Sequence, residues 1–172
     1  MDFSLRGPIR RHIQGIDNYT NAYFYEDLKL GEMRDNVICQ DITKMTFESE
    51  SFDIVTTTDI MEHVDKPWQG FKDVHRILKK GGSYIFTIPV KYPMKPKSIT
   101  RATLNRQTGE LTHLLEPVYH NSGEQEPSLV FTDFGSDMFP TLKKIGFATA
   151  FISVSSADSQ AARFGAFLAT KF

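Results

Sequence analysis

The stretch "SFDIVTTTDIMEHV", residues 51–64, opens on a β-branched run and closes on a carboxylate and an imidazole. Ile54, Val55 and three successive threonines favour an extended, buried strand. Asp59 to His63 then falls where the strand hands over to the next segment. Immediately downstream, "DKPWQGFKDVHRILKKGG" (65–82) reads as an amphipathic helix. Trp68, Phe71, Val74, Ile77 and Leu78 recur at three- and four-residue steps on one face. Asp65 is placed to cap this helix, Pro67 suits its first turn, and Gly81-Gly82 follow Lys79 and Lys80 as a stop. "GSYIFTIPV" (82–90) is the next apolar run. Strand, helix and strand make a right-handed βαβ unit with its functional edge at the carboxyl ends of the strands.

Upstream, "NVIC" (36–39) is a further strand that closes on Gln40-Asp41, and "NAYFYEDL" (21–28) is the best remaining strand candidate before it. Downstream, residues 91–132 carry four prolines (Pro93, Pro96, Pro117, Pro127) and a turn signal at Thr108-Gly109, the character of an insertion or lid containing a small hairpin. "SDMFPTLKKIGF" (136–147) reads as a second helix, capped at Ser136 and ending near Gly146. "ATAFISVSS" and "FGAFLATKF" then alternate as an antiparallel hairpin around "ADSQAAR". The expected class is α/β: a Rossmann-like, mostly parallel sheet with flanking helices and a C-terminal antiparallel hairpin.

Composition bounds the possibilities. The 172 residues fit one domain, with 40% hydrophobic and 24% charged residues. The expected division is a degenerate N-terminal part (1–36), a core (37–90), the insertion (91–132) and a C-terminal helix and hairpin (133–172). Twenty basic residues against 21 acidic ones leave a net charge of -1, which argues against nucleic acid or anionic lipid as a partner. The single cysteine, Cys39, excludes an intramolecular disulfide framework and lies in a strand-like run, as a buried thiol does. With no apolar stretch of signal-peptide or membrane-spanning character, the expected location is cytoplasmic.

The spacing from Asp41 onward resembles the class I S-adenosylmethionine-dependent methyltransferase family, in its type 11-like subset. The residues that carry the resemblance are Asp41-Ile42, Met45, Phe47, "SFDIV", Ile60, "MEHV" and "DVHRILKKGGSYIFTIPV". It implies S-adenosyl-L-methionine as cofactor and a small-molecule or sugar-like acceptor. It also implies roles by position: Asp41 accepting from the adenine amino group, the Ile42 amide facing the ring, Thr57 and Thr58 beside the methionine portion, and Glu26 or Asp27 near the ribose. The family's glycine-rich first turn has no counterpart, since Gly7 and Gly15 stand isolated and neither follows a convincing strand. In the family sheet that first strand lies between the second and fourth, so its absence leaves unpaired edges. Something must fill the gap: a shifted strand, a second copy of the chain in a homodimer, or the rest of a longer protein. The missing cradle leaves open a non-catalytic binding or assembly module.

Asp59 and His63, spaced i, i+4, are the candidate catalytic residues. Their plainer readings are a carboxylate at a helix start with a histidine tucked at the sheet edge, and the rim of a cofactor and acceptor cleft. Methyl transfer needs in-line positioning more than a base. Glu62 is expected to face solvent. His113 and His120, with Tyr119, lie in the insertion and either line an acceptor pocket or stay locally hydrogen-bonded, and no spacing imitates a metal site. Asp133-Phe134-Gly135 is a kinase-like triplet without its companion motifs, expected to serve only as a turn.

Overall fold

The computed structural model describes residues 1–3, 10–13, 15–90, 93–120, 127–153 and 165–172. Its elements run in the order α1 (Arg10–Ile13), β1 (Ala22–Tyr23), β2 (Met33–Arg34), β3 (Val37–Cys39), β4 (Phe52–Thr58), a 3-10 turn (Met61–His63), α2 (Pro67–Ile77) and β5 (Leu78–Thr87). The insertion follows with β6 (Ile99–Thr100), β7 (Ala102–Asn105), β8 (Glu110–His113), β9 (Tyr119–His120), β10 (Ser128–Leu129) and β11 (Thr132–Asp133). The chain closes with α3 (Met138–Ile145), β12 (Phe147–Ser153) and β13 (Gly165–Lys171).

β4 and β5 pair in parallel, from Ile54 opposite Ser83 to Thr58 opposite Thr87. β13 lies antiparallel against the far side of β5, and β12 pairs antiparallel with β13, so the expected hairpin closes this flank. The loop "ADSQAAR" between its strands lies outside the described residues. On the opposite side β1 pairs in parallel with β3, and β2 runs antiparallel to β3. Among the described residues between β1 and β3 the connection holds turns and β2 and no helix, consistent with its shortness.

At the centre of the sheet the gap is filled by the first of the three alternatives, a short segment taking the missing strand's place. Residues 1–3 occupy the slot between β1 and β4: Asp2 bridges in parallel to both Asn21 and Thr56. Phe3 N donates to Thr56 O and Thr56 N to Met1 O, both at 2.9 Å, while Ala22 N donates to Asp2 O at 2.9 Å. Three residues suffice because only one ladder rung is needed on each side. The unpaired edges on which a homodimer rests are therefore paired within the chain. Residues 4–9, where a glycine turn would follow, lie outside the described residues.

Burial explains why the sheet holds. Phe71, Val74 and Ile77 of α2 and Leu78 at the start of β5 are fully buried, as their spacing predicts, against Tyr84, Phe86 and Phe167. Phe86 stacks between Tyr84 at 4.6 Å and Phe167 at 4.9 Å between ring centroids. α2 stops at Ile77, earlier than its sequence suggests, and Leu78 to Lys80 are already strand. Asp65 does not cap it: Lys66 holds that position without a side-chain bond. α3 ends at Gly146, which adopts φ +117° and donates to the Leu142 and Lys143 carbonyls. Its expected cap, Ser136, is replaced by Asp137, whose carboxylate accepts from Ser98 N and Oγ. Gly135, in the triplet, is required by close approach, since an added Cβ would lie 2.4 Å from the Lys97 carbonyl carbon. Cys39 is free and buried. Among the described residues no helix is long and apolar enough to cross a membrane.

Candidate functional site

The parallel strands β3, β4 and β5 bring their carboxyl ends to one edge, where loops rather than ladder bonds must satisfy the backbone. Beyond β3, Gln40 is fully buried and locked to Thr46 by two bonds, a structural role. Asp41 follows with its carboxylate at the edge. Its Oδ1 accepts from Thr43 N at 2.9 Å and from Thr43 Oγ1 at 2.7 Å. Its Oδ2 accepts from Arg106 Nη1 at 2.6 Å. Burial pushes this carboxyl up, but the Thr43 and Arg106 bonds outweigh it and hold the group below its ordinary range. The Ile42 side chain is buried toward Gly70 of α2, which leaves its backbone on the edge.

Arg106 is the residue that sequence reasoning missed. It sits at the tip of the β7–β8 hairpin, whose Thr108-Gly109 turn forms as expected, with Gly109 at φ +74°. From there its guanidinium spans two carboxylates, holding Asp41 with Nη1 and Asp65 with Nε at 2.8 Å and with Nη2. Asp65 is spent on this clasp instead of on a helix cap. The insertion hairpin is thereby fixed over the end of β3. An arginine at a hairpin tip is the only local hint, and it does not name a partner 65 residues away.

At the end of β4 the two threonines diverge. Thr57 is fully buried and its hydroxyl shares a 2.7 Å bond with Tyr84, so it belongs to the core beneath the edge. Thr58 Oγ1 is buried without a hydrogen-bond partner. Asp59 turns the chain at φ +49°, is exposed, and ties β4 to β5: Thr87 Oγ1 donates to its Oδ1 at 2.9 Å. Asp59 and His63 make no hydrogen bond to each other, so the structure brings them to one edge without forming a dyad. Glu26 lies exposed in the turn after β1, while Asp27 pairs with Arg34 at 2.6 Å.

The 3-10 turn reverses one expectation. Met61 enters the core, and Glu62, the next residue of the turn, is buried beneath the packed β9–β11 segment as well. Glu62 is only 2% exposed, not solvent-facing, and neither carboxylate oxygen has a hydrogen-bond partner. Burial, with a smaller push from Asp59, raises its carboxyl to about 8. Its Oε1 lies 3.6 Å from His63 Nε2 and 3.7 Å from His120 Nδ1. His63 Nδ1 donates to the Leu129 carbonyl at 2.8 Å, which leaves the Nε2 lone pair facing Glu62. Spacing along the chain concealed this cluster because His120 arrives from β9, where Tyr119 and His120 pair with Leu129 and Ser128 of β10.

A methyltransferase-domain family model matches residues 8–86. A ubiquinone biosynthesis O-methyltransferase of Coxiella burnetii is 36% identical over 52 residues, which cover 30% of this chain. The chain matches only 22% of that relative's length. Among solved structures, an S-adenosylmethionine-dependent methyltransferase from Mesorhizobium loti aligns with TM-score 0.51 at 16% identity, over 81% of this chain and 72% of its own. A glycopeptide N-methyltransferase complexed with S-adenosyl-L-homocysteine aligns with TM-score 0.50 at 14% identity, over 80% of this chain and 61% of its own. At these identities the structural likeness is one of fold.

Proposed function

We propose that the chain is a class I S-adenosylmethionine-dependent methyltransferase, as its match to a methyltransferase-domain family model over residues 8–86 supports, and that it binds S-adenosyl-L-methionine along the edge formed by β3, β4 and β5 and methylates a small-molecule acceptor. The observation that carries this reading is the Asp41 carboxylate, held ionised at the end of β3. The residues present fit the cofactor. A carboxylate has about four acceptor sites, and Asp41 uses two on Oδ1 and one on Oδ2. Oδ2 thus keeps capacity for an amino group such as that of adenine, with the Ile42 amide beside it. Thr58 Oγ1, a buried hydroxyl without a partner at the end of β4, suits the polar methionine portion.

The cofactor, when bound, supplies a methyl group activated on a sulfonium. This chain's contribution is to bind, orient and exclude water. Thr43 and Arg106 keep Asp41 charged, and the β7–β8 hairpin that Arg106 anchors acts as the lid. Asp59, fixed by Thr87, and His63, fixed by Leu129, line the acceptor side as positioning groups, and Glu26 remains the ribose candidate. The names of the relatives include both oxygen and nitrogen methylation. Either nucleophile is served by in-line positioning.

Calorimetric titration with S-adenosyl-L-homocysteine tests this. The wild type is expected to bind, and Asp41→Asn, which keeps the shape and removes the charge, to bind about 10–100-fold more weakly, the scale of a charged hydrogen bond. No heat at millimolar ligand would remove the enzymatic reading in favour of a binding module.

A further inference from the structure

We propose that Glu62, His63 and His120 form a binding site for a divalent transition-metal cation with zinc-like ligand preference. The three donor groups lie within 4.8 Å of one another although they come from separate segments, the 3-10 turn and β9. Backbone bonds clip these segments together. Phe131 N donates to Glu62 O at 2.7 Å and Val130 N to Val118 O at 2.8 Å, around the Leu129 carbonyl that orients His63.

The Glu62 side chain is 3% exposed and aimed at both imidazoles, with no donor on either oxygen. A buried carboxylate in that condition is costly until a proton or a cation neutralises it. The imidazoles here are turned to act as ligands. His63 has its Nδ1 proton committed to a carbonyl, the orientation in which metal-binding histidines are commonly held. Two bonds of ~2.1 Å span at most ~4.2 Å across an ion. Separations of 3.6 and 3.7 Å already meet that limit, and rotation of His120, the most exposed of the three, closes the remainder. Two nitrogens and one carboxylate favour zinc-like ions over magnesium or calcium, which take oxygen ligands, and leave further positions open.

The test uses the whole chain, stripped with a chelator and dialysed, then titrated with Co²⁺ by visible absorption and with Zn²⁺ by calorimetry. One equivalent is expected, with cobalt bands of low coordination number that excess Mg²⁺ does not displace. Glu62→Gln and His120→Ala should each weaken binding at least ~10-fold, while His113→Ala, on the exposed β8, leaves it unchanged. Circular dichroism of the metal-free variants checks folding, and if His120→Ala does not fold, the near-isosteric Glu62→Gln decides. Absence of a stoichiometric complex, equal binding by Glu62→Gln, or equal loss in His113→Ala overturns the proposal.

Discussion

Arg106→Ala is the perturbation that most directly probes how the insertion is held over the sheet edge. The guanidinium donates to Asp41, Thr43 and Asp65, and its removal takes the cationic partner from two carboxylates whose side chains are 11% and 6% exposed, although Asp41 keeps its two bonds from Thr43. Truncating one partner of a fully buried pair costs about 3–5 kcal/mol, and an exposed pair contributes about 0–1 kcal/mol. Arg106 itself is 31% exposed, so water screens the clasp and can rehydrate part of what is left. A loss of about 2 kcal/mol follows, between those limits. For a domain of this size each kcal/mol shifts the thermal midpoint by roughly 2–4 °C, so the variant should melt about 4–8 °C lower. Urea denaturation gives the free energy directly. Arg106→Lys should recover only part of it, because an ammonium cannot bridge both carboxylates with a planar fork. A midpoint within error of the wild type would show that the hairpin is not clasped to Asp41 and Asp65 in solution, and the lid would lose its anchor.

The same clasp makes an acid prediction. Asp41 is depressed in the folded chain, so the stability it contributes is complete above its unfolded value of 3.8 and is lost as pH falls through the lower folded value. The gap between wild type and Arg106→Ala in urea titrations should therefore be constant near neutrality and shrink below about pH 4; a gap that widens in acid would contradict the assignment. Tyr84→Phe keeps the ring but strips the hydroxyl from the buried bond with Thr57. It should cost about 1–2 kcal/mol by urea denaturation, because Thr57 Oγ1 is left buried without a partner, and an unchanged midpoint would place Thr57 outside the core.

Several elements were legible before any coordinates because their signals are local. The β4–α2–β5 unit follows from a β-branched run, one apolar helical face and a second apolar run, and burial of Phe71, Val74 and Ile77 satisfies that pattern. The terminal hairpin and the turn at Thr108-Gly109 follow in the same way. Asp41, two residues past the end of β3, is singled out by the family resemblance, which implies a carboxylate at that position. Thr57 and Thr58 look equivalent in sequence, yet the pleat sends one toward Tyr84 and leaves the other at the edge.

Sequence alone determined the class of fold, the strand whose end carries Asp41, and the edge where Asp59 and His63 meet the loops. Tertiary structure alone decided that residues 1–3 fill the central slot, that Arg106 clasps Asp41 and Asp65, and that Glu62 turns inward to meet His63 and His120. The reason is the range of the forces. Periodicity and turn chemistry act within a few residues, whereas pairing a buried charge or a bare strand edge is settled by whichever distant segment packs there.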